Sequence, residues 1–458
     1  MTVIEAQIDR IVGPTHHFGG LGVGNVASQL HAGQPSNPRA AAIQGLDKMR
    51  QVASLGVPQW ILPPQPRPDF GFLRSLGFTG SRSDLLQFVM HDSPLLLSAA
   101  TSCSAMWTAN AATVTASTDT EGNLPVMTVA NLSASLHRSI ESSQTLLELR
   151  SLFRGVFDVR AALPGGALMR DEGAANHMRL SGLDGGSGLN VFVHGDGSPE
   201  PQCYWPRQTL AACQAIARGH VLEAQNAFYL KQHPDAIDKG AFHNDVVAMS
   251  HQNLLIHHEL AFAPESDGEI LCLQQRFKNV TGSPLQTLCV KSHELTLEDA
   301  ITTYLFNSQI VSCFVSGQPV RTVLCPIQVQ QHQEANAVVE RWCDQGVFDA
   351  VHFVDLGQSM DGGGGPACLR LRVPCREDEL GRLPVSAAWT ESLDADLRDI
   401  ISERYCCKLT LMDLADIEFC EQALETQAIL AKRLGLTALD LLSGQKWQAS
   451  KEGIIRNP

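Results

Sequence analysis

A chain of 458 residues that is 44% hydrophobic and 18% charged can bury a sizeable core, as two or three average domains or as one large α/β architecture. A net charge of −14 with no Lys/Arg stripe argues against a nucleic-acid partner, and no run reaches the roughly 18 apolar residues that span a bilayer. Thirteen cysteines without a CxxC motif argue against a disulfide scaffold or structural zinc, and fit reduced thiols in a cytoplasm.

The N-terminal stretch MTVIEAQIDRIVGPTHHFGG lacks the basic start and apolar core of a secretory signal. FGGLGVGN, Phe18 to Asn25, has neither the third glycine nor the preceding strand of a dinucleotide loop. It is read as a plain turn or as a mobile loop able to close over a ligand. SNPRAAAIQGLDKMRQVASLG is a helix with Asn37 as N-cap, Pro38 in its first turn, Ile43, Leu46, Met49 and Ala53 on one face, and Gly56 as terminator. Strand-length runs follow in PVMTVANL, LNVFVHG, NLLIHHELAF, EILCLQQRF, LQTLCVKS, AVHFVDL and CLRLRV. Between them, Thr296 with Asp299 opens a second helix carrying Ile301, Tyr304, Leu305 and Ser308. EFCEQALETQAILAKRLGL is a third, with Leu424, Ala428, Ala431 and Leu434 on one face and Gly435 at its end. Strands and helices alternate, so the class is α/β, and with no linker or repeat in view residues 1–458 form one continuous catalytic domain.

Four segments carry chemistry. MDGGGGPACLRL places four glycines before one thiol, Cys368, although glycine costs about 0.5–1 kcal/mol each in regular structure. AFHNDV, if extended, points His243 and Asp245 the same way, a proton-transfer unit or simply a structural pair. RDEGAANH sets Asp171 and Glu172 on a turn, where paired acids are usually solvated. His16–His17 and His257–His258–Glu259 do not make a metal site, since neighbours on a strand face opposite ways and HExxH is absent. Together, a thiol, a histidine and carboxylates suit attack on a guanidinium, a planar cation that acids grip in bidentate fashion.

The motifs GPTHHFGGLGVGNVAS, PSNPRAAAIQGLDKM, MWTANAAT, TVANLSASLHRS, DEGAANH, PRQT, FHNDV, TYLFNSQ and GGGPACLRLRV resemble the succinylarginine dihydrolase family over nearly the whole chain. The resemblance implies a pentein fold, a five-bladed α/β propeller of ββαβ modules. It implies hydrolysis of N2-succinyl-L-arginine with two waters to N2-succinyl-L-ornithine, two ammonia and carbon dioxide, in arginine catabolism, without metal or organic cofactor. Carried over, Cys368 is the nucleophile, with His243 and Glu172 as its catalytic partners. The substrate contacts are Gly19, Gly20, Leu21, Gly22, Val23, Gly24, Asn25, Val26, Ala27 and Ser28, with Asn110, His137, Arg138, Arg207 and Asp245. Arg138 and Arg207 are the expected clamps for the substrate's carboxylates. A cytoplasmic homodimer acting on a small molecule, with no nucleic acid or membrane partner, is also implied. Where family members carry asparagine before the three glycines, this chain has Gly362. A deiminase or amidinotransferase is the nearest rival reading; a non-catalytic binding protein and a cysteine peptidase are more distant ones.

Overall fold

The computed structural model describes residues 3–264, 266–315 and 318–437. Its strands form five three-stranded sheets with one connectivity. In each, an antiparallel pair is followed by a helix that returns the chain to a third strand, parallel to the second. In the first module β15 (Arg370–Arg376) pairs antiparallel with β1 (Val3–Arg10), which pairs parallel with β2 (Gln59–Leu62) across the Pro38–Ser54 helix. The second joins β3 (Ala112–Thr115), β4 (Val126–Val129) and β5 (Asp158–Arg160) through the helix Ser142–Leu152. The third joins β6 (His177–Ser181), β7 (Gly188–His194) and β8 (Ala227–Lys231) through Leu210–Gly219. The fourth is β9 (Ala248–His251), β10 (Leu254–His258) and β11 (Gln286–Val290) with helix Ser266–Thr281. The fifth is β12 (Gln309–Val315), β13 (Gln318–Pro326) and β14 (Ala350–Val354) with helix Gln333–Asp344. A parallel pair needs such a crossover, so each ββαβ unit is a self-contained solution to the same pairing problem.

Hydrophobic seams join successive modules. Ala6, Ile8 and Val373 pack with Val114 and Met127 between the first and second. Leu180 and Leu189 meet Leu255 and Phe277 between the third and fourth, and Ile256 meets Val323 and Val338 between the fourth and fifth. Met49 and Val52 meet Val311 and Leu324, returning to the first. The remaining seam is polar: buried His220 bridges Thr115 at 2.7 Å and Thr128 at 2.8 Å, and Arg179 pairs with Asp119 at 2.7 Å. The modules therefore close into a ring, in keeping with a five-bladed propeller.

Local signals explain the helix ends. The Asn37 side chain accepts from the Ala40 N–H at 2.9 Å, and Gly56 follows the helix at φ +80°. Three expectations need correction. EILCLQQRF is helical, not a strand, because Leu273 and Phe277, one turn apart, are both fully buried. The helix begun at Thr296 ends at Thr303; Tyr304 takes a left-handed φ of +54°, and Leu305 and Ser308 lie beyond it. In the helix Ile417–Arg433 the buried face is Cys420, Ala423, Thr426, Gln427 and Leu430, and Ala428 is exposed.

Candidate active site

Four of the five modules place a short 3-10 turn just before their first strand: Thr108–Asn110, Gly173–Asn176, Asn244–Val246 and Leu305–Asn307. In the remaining module the segment ending at Cys368 holds that place, two residues ahead of β15. The five segments are tied into a girdle. Ala109 N–H donates to Cys368 O at 3.0 Å, Asn110 Nδ2 to Glu172 O at 2.8 Å, and Asn244 N–H to Asn176 Oδ1 at 3.1 Å. Asn307 Nδ2 donates to Asp245 O at 3.1 Å, and Cys368 N–H to Asn307 Oδ1 at 3.1 Å. Residues far apart in sequence thus meet because each occupies the same place in its module.

Cys368 lines a cleft of about 670 Å³. Its Sγ accepts from Asn307 Nδ2 at 3.1 Å and donates to Asp245 Oδ2 at 3.4 Å. Burial, then the Asp245 charge, pushes the thiol well above its ordinary value, so the resting sulfur is protonated. Burial lifts Asp245 to about 6. His243, also on the cleft, is lowered by burial to about 4 and is neutral near pH 7. Its Nε2 meets Glu172 Oε2 at 2.8 Å, which leaves the buried Nδ1 without a partner. The same Glu172 oxygen accepts from Arg138 Nη1 at 2.6 Å. Burial raises the Glu172 carboxyl, but Arg138 and the His243 ring overcome it and hold it well below the usual carboxylate range. Glu172 Oε1, Asp245 Oδ1, and Arg138 Nε and Nη2 are buried without partners, a set of open acceptors and donors around one thiol.

The structure brings most of the expected residues together, with changes. His243 is extended but Asp245 lies in a 3-10 turn, so the expected strand alternation does not hold: His243 faces the cleft and Asp245 a second cavity. Glu172 and Asp171 are fully buried rather than solvated. Asp171, raised by burial to about 7, accepts from Gly173 N–H at 3.1 Å and Gln208 Nε2 at 3.2 Å. Arg138 is engaged by Glu172, and only its remaining nitrogens are open to a ligand. Arg207 donates to Val23 O at 2.5 Å and lies 4.8 Å above the Phe242 ring. Asn110, His137, Arg138 and Arg207 line the cleft, as do Gly19, Gly20, Leu21, Gly22, Asn25 and Ser28. Val23, Gly24, Val26 and Ala27 do not, and Asp245 lies behind the thiol, on a second cavity. His16 and His17 sit in a loop and both line the cleft, so the opposite-faces expectation fails for them. Asn307, within the TYLFNSQ motif, is a site residue that no sequence pattern singles out: it accepts from Cys368 N–H and donates to Cys368 Sγ.

The glycine run is explained by side chains of the protein itself. A Cβ on Gly363 (φ +113°) would overlap the Asn25 amide, which donates to Gly363 O at 2.8 Å. A Cβ on Gly364 would overlap the Trp107 ring nitrogen, and one on Gly365 would lie 2.8 Å from Asn307 Oδ1. At Gly362 it would meet Trp107 at 3.1 Å. Gly363→Ala is therefore expected to cost about 1–3 kcal/mol of stability, measured by urea unfolding. A midpoint equal to that of the parent would refute the close-approach account.

A sequence model of the succinylarginine dihydrolase family matches residues 2–441. The N-succinylarginine dihydrolase of Shewanella denitrificans is 41% identical over 424 residues, covering 91% of this chain and 94% of that one. That of Yersinia enterocolitica is 41% identical over 449 residues, covering 96% and 99%. Among solved structures, the N-terminal domain of ArgZ, an arginine dihydrolase from cyanobacteria, has a TM-score of 0.50 at 13% identity. It covers 81% of this chain and 97% of that chain. That likeness is one of fold alone, the pentein fold.

Proposed function

This chain belongs to the succinylarginine dihydrolase family, and on that premise we propose that it hydrolyses N2-succinyl-L-arginine to N2-succinyl-L-ornithine, two ammonia and carbon dioxide. The observation that carries the reading is a buried thiol, hydrogen-bonded to Asp245 and Asn307, on a cleft shared with a histidine that Glu172 orients. All thirteen cysteines are free, which supports a reducing, cytoplasmic setting. We read residues 1–458 as one catalytic unit that works as a homodimer.

The substrate's guanidinium comes to rest against Cys368, with the Glu172 and Asp245 carboxylates as its counter-charges. Its positive charge favours both the Asp245 carboxylate and the Cys368 thiolate. The thiol proton passes to His243 Nδ1, and the imidazolium so formed is held by Glu172. Sγ bonds to the guanidinium carbon; a C–N bond breaks, and the departing nitrogen takes the His243 proton and leaves as ammonia. His243, neutral again, removes a proton from water, the hydroxide adds to the carbon, and the C–S bond breaks to give a ureido compound. In a second round sulfur adds to the ureido carbon and a second ammonia leaves. Water then releases a carbamic acid that loses carbon dioxide. Arg138 Nε and Nη2, His137 and Arg207 supply the donors that suit the succinyl and α-carboxylates.

Product analysis separates this from the rival guanidine reactions. Succinylarginine is expected to give two ammonia per molecule, the succinylated ureido compound is expected to give one, and free arginine is expected to react poorly. A stop at one ammonia would make the chain a deiminase. Transfer to an amine acceptor without ammonia would make it an amidinotransferase.

A further inference from the structure

The substrate cleft ends at Cys368, but the polar interior does not. Behind the thiol lies a second cavity, of about 420 Å³, on which Asp245, Ser250, His177, Arg370 and Arg372 stand. His177, Arg370 and Arg372 also wall a third, of about 350 Å³, together with Glu5 and Arg179. Glu5 and Arg179 in turn wall a fourth, of about 1230 Å³, whose rim includes the exposed Leu183. Each cavity shares side chains with the next, so they lie in file from Asp245, which the thiol touches, to the exposed Leu183. Charged and polar groups stand along the file beside apolar ones: Arg372 donates to Ser250 O at 2.8 Å, and Glu5 meets His251 at 3.2 Å. Arg370 Nε, Asn244 Oδ1 and Asp245 Oδ1 are buried there without a protein partner, the situation that ordered small polar molecules relieve.

We propose that this file of cavities is a second passage, carrying water inward and neutral ammonia outward, separate from the cleft that admits the substrate. The proposal rests on the two-ammonia reading above. That chemistry gives it a use, because the covalent adduct fills the cleft while the first ammonia leaves and water arrives, and the ureido compound formed from it must stay for the second round. At the front of the cleft Asn25 is tied to Gly363 O, and Arg207 to Val23 O. On the second cavity Arg370 and Arg372 outnumber the one carboxylate, Asp245, and so oppose the passage of the substrate's cation past the thiol and the return of ammonium. An uncharged molecule the size of water meets no such barrier.

Three variants narrow the passage, none of them at a residue of the catalytic or binding machinery. Ala248→Leu fills the second cavity, Val114→Phe the third, and Ser312→Trp the half-buried rim of the fourth. Each is assayed as the full chain with succinylarginine, with ammonia and the ureido compound both quantified and thermal unfolding checking the fold. A blocked passage leaves the cleft as the route for ammonia and water, so the cleft opens between the two rounds, when the ureido compound is no longer bonded to sulfur and escapes. The expected result is at least a fivefold fall in kcat, KM within twofold, and ureido compound appearing in more than one turnover in ten. General damage to the fold lowers kcat without changing the product ratio. Folded variants that release two ammonia per substrate, with no ureido compound in solution, would overturn the passage whatever their rate. The rim variant keeps the test open if the two buried ones fail to fold. A parent chain that itself releases one ammonia would instead overturn the dihydrolase reading, and the passage with it.

Discussion

Cys368→Ser is expected to lower ammonia release from succinylarginine by on the order of 10⁴-fold or more, while calorimetry still detects substrate binding. The loss follows from how the nucleophile is made. The thiol is buried and pushed well above its ordinary value by burial and by Asp245, so nucleophile forms only when a cation arrives to repay the charge. Sulfur can meet that demand, because a thiol is intrinsically a far stronger acid than an alcohol. A serine hydroxyl in the same place would accept the Asn307 amide and donate to Asp245, so the cleft keeps its shape. Deprotonation is then out of reach of a histidine whose burial lowers it to about 4. Serine therefore separates binding from chemistry. A serine variant that retains more than a hundredth of the parent rate would show that some other group attacks the guanidinium carbon.

How much of this site could be read in advance differs from residue to residue. Cys368 stood out because glycines are expensive, and the expense pointed to a constraint before the constraint was known. What approaches the glycines is Asn25, Trp107 and Asn307, three side chains between 58 and 338 positions away, and no local pattern announces such contacts. Glu172 was legible as a residue type but not in its setting. A pair of acids on a turn is solvated unless something distant buries it, here Arg138, His243 and Gln208. The modular repeat escaped notice for a related reason. The first strands begin at Ala112, His177, Ala248, Gln309 and Arg370, at intervals of 65, 71, 61 and 61 residues, yet the modules share no motif. They share only a place in the ring, which backbone pairing enforces and side chains do not record. Strands such as β7 and β10, buried on both faces, were visible as apolar runs. By contrast β1, with Glu5, Gln7 and Asp9 facing the polar interior, and β6, with His177 and Arg179, carry charges that hide a strand from any hydrophobic pattern.

Glu172→Gln is the second substitution with a large expected effect, and its pH dependence distinguishes an electrostatic role from a merely steric one. Glutamine keeps the shape of the side chain and one acceptor oxygen, but it removes the charge that Arg138 and His243 share at 2.6 and 2.8 Å. Arg138 is then a buried guanidinium without a counter-ion, which costs about 3–5 kcal/mol of stability. The imidazolium that must form on His243 loses its stabiliser, and kcat falls by on the order of 10²–10⁴-fold. The sign of the pH effect follows from the direction of the shift. In the folded chain the Glu172 carboxyl is held well below its ordinary value, despite burial, by Arg138 and His243. Its contribution to stability is therefore fully present above the unfolded carboxyl value of about 4.3, and is lost as pH falls below it toward the folded value. Urea midpoints for parent and variant are expected to lie far apart at pH 7 and to converge as the pH is lowered through 4. Convergence then follows the protonation of the parent's carboxylate. A gap of constant width from neutral to acid pH would mean that glutamine disturbs packing, and that the carboxylate does not bind the arginine and the histidine into one charged unit.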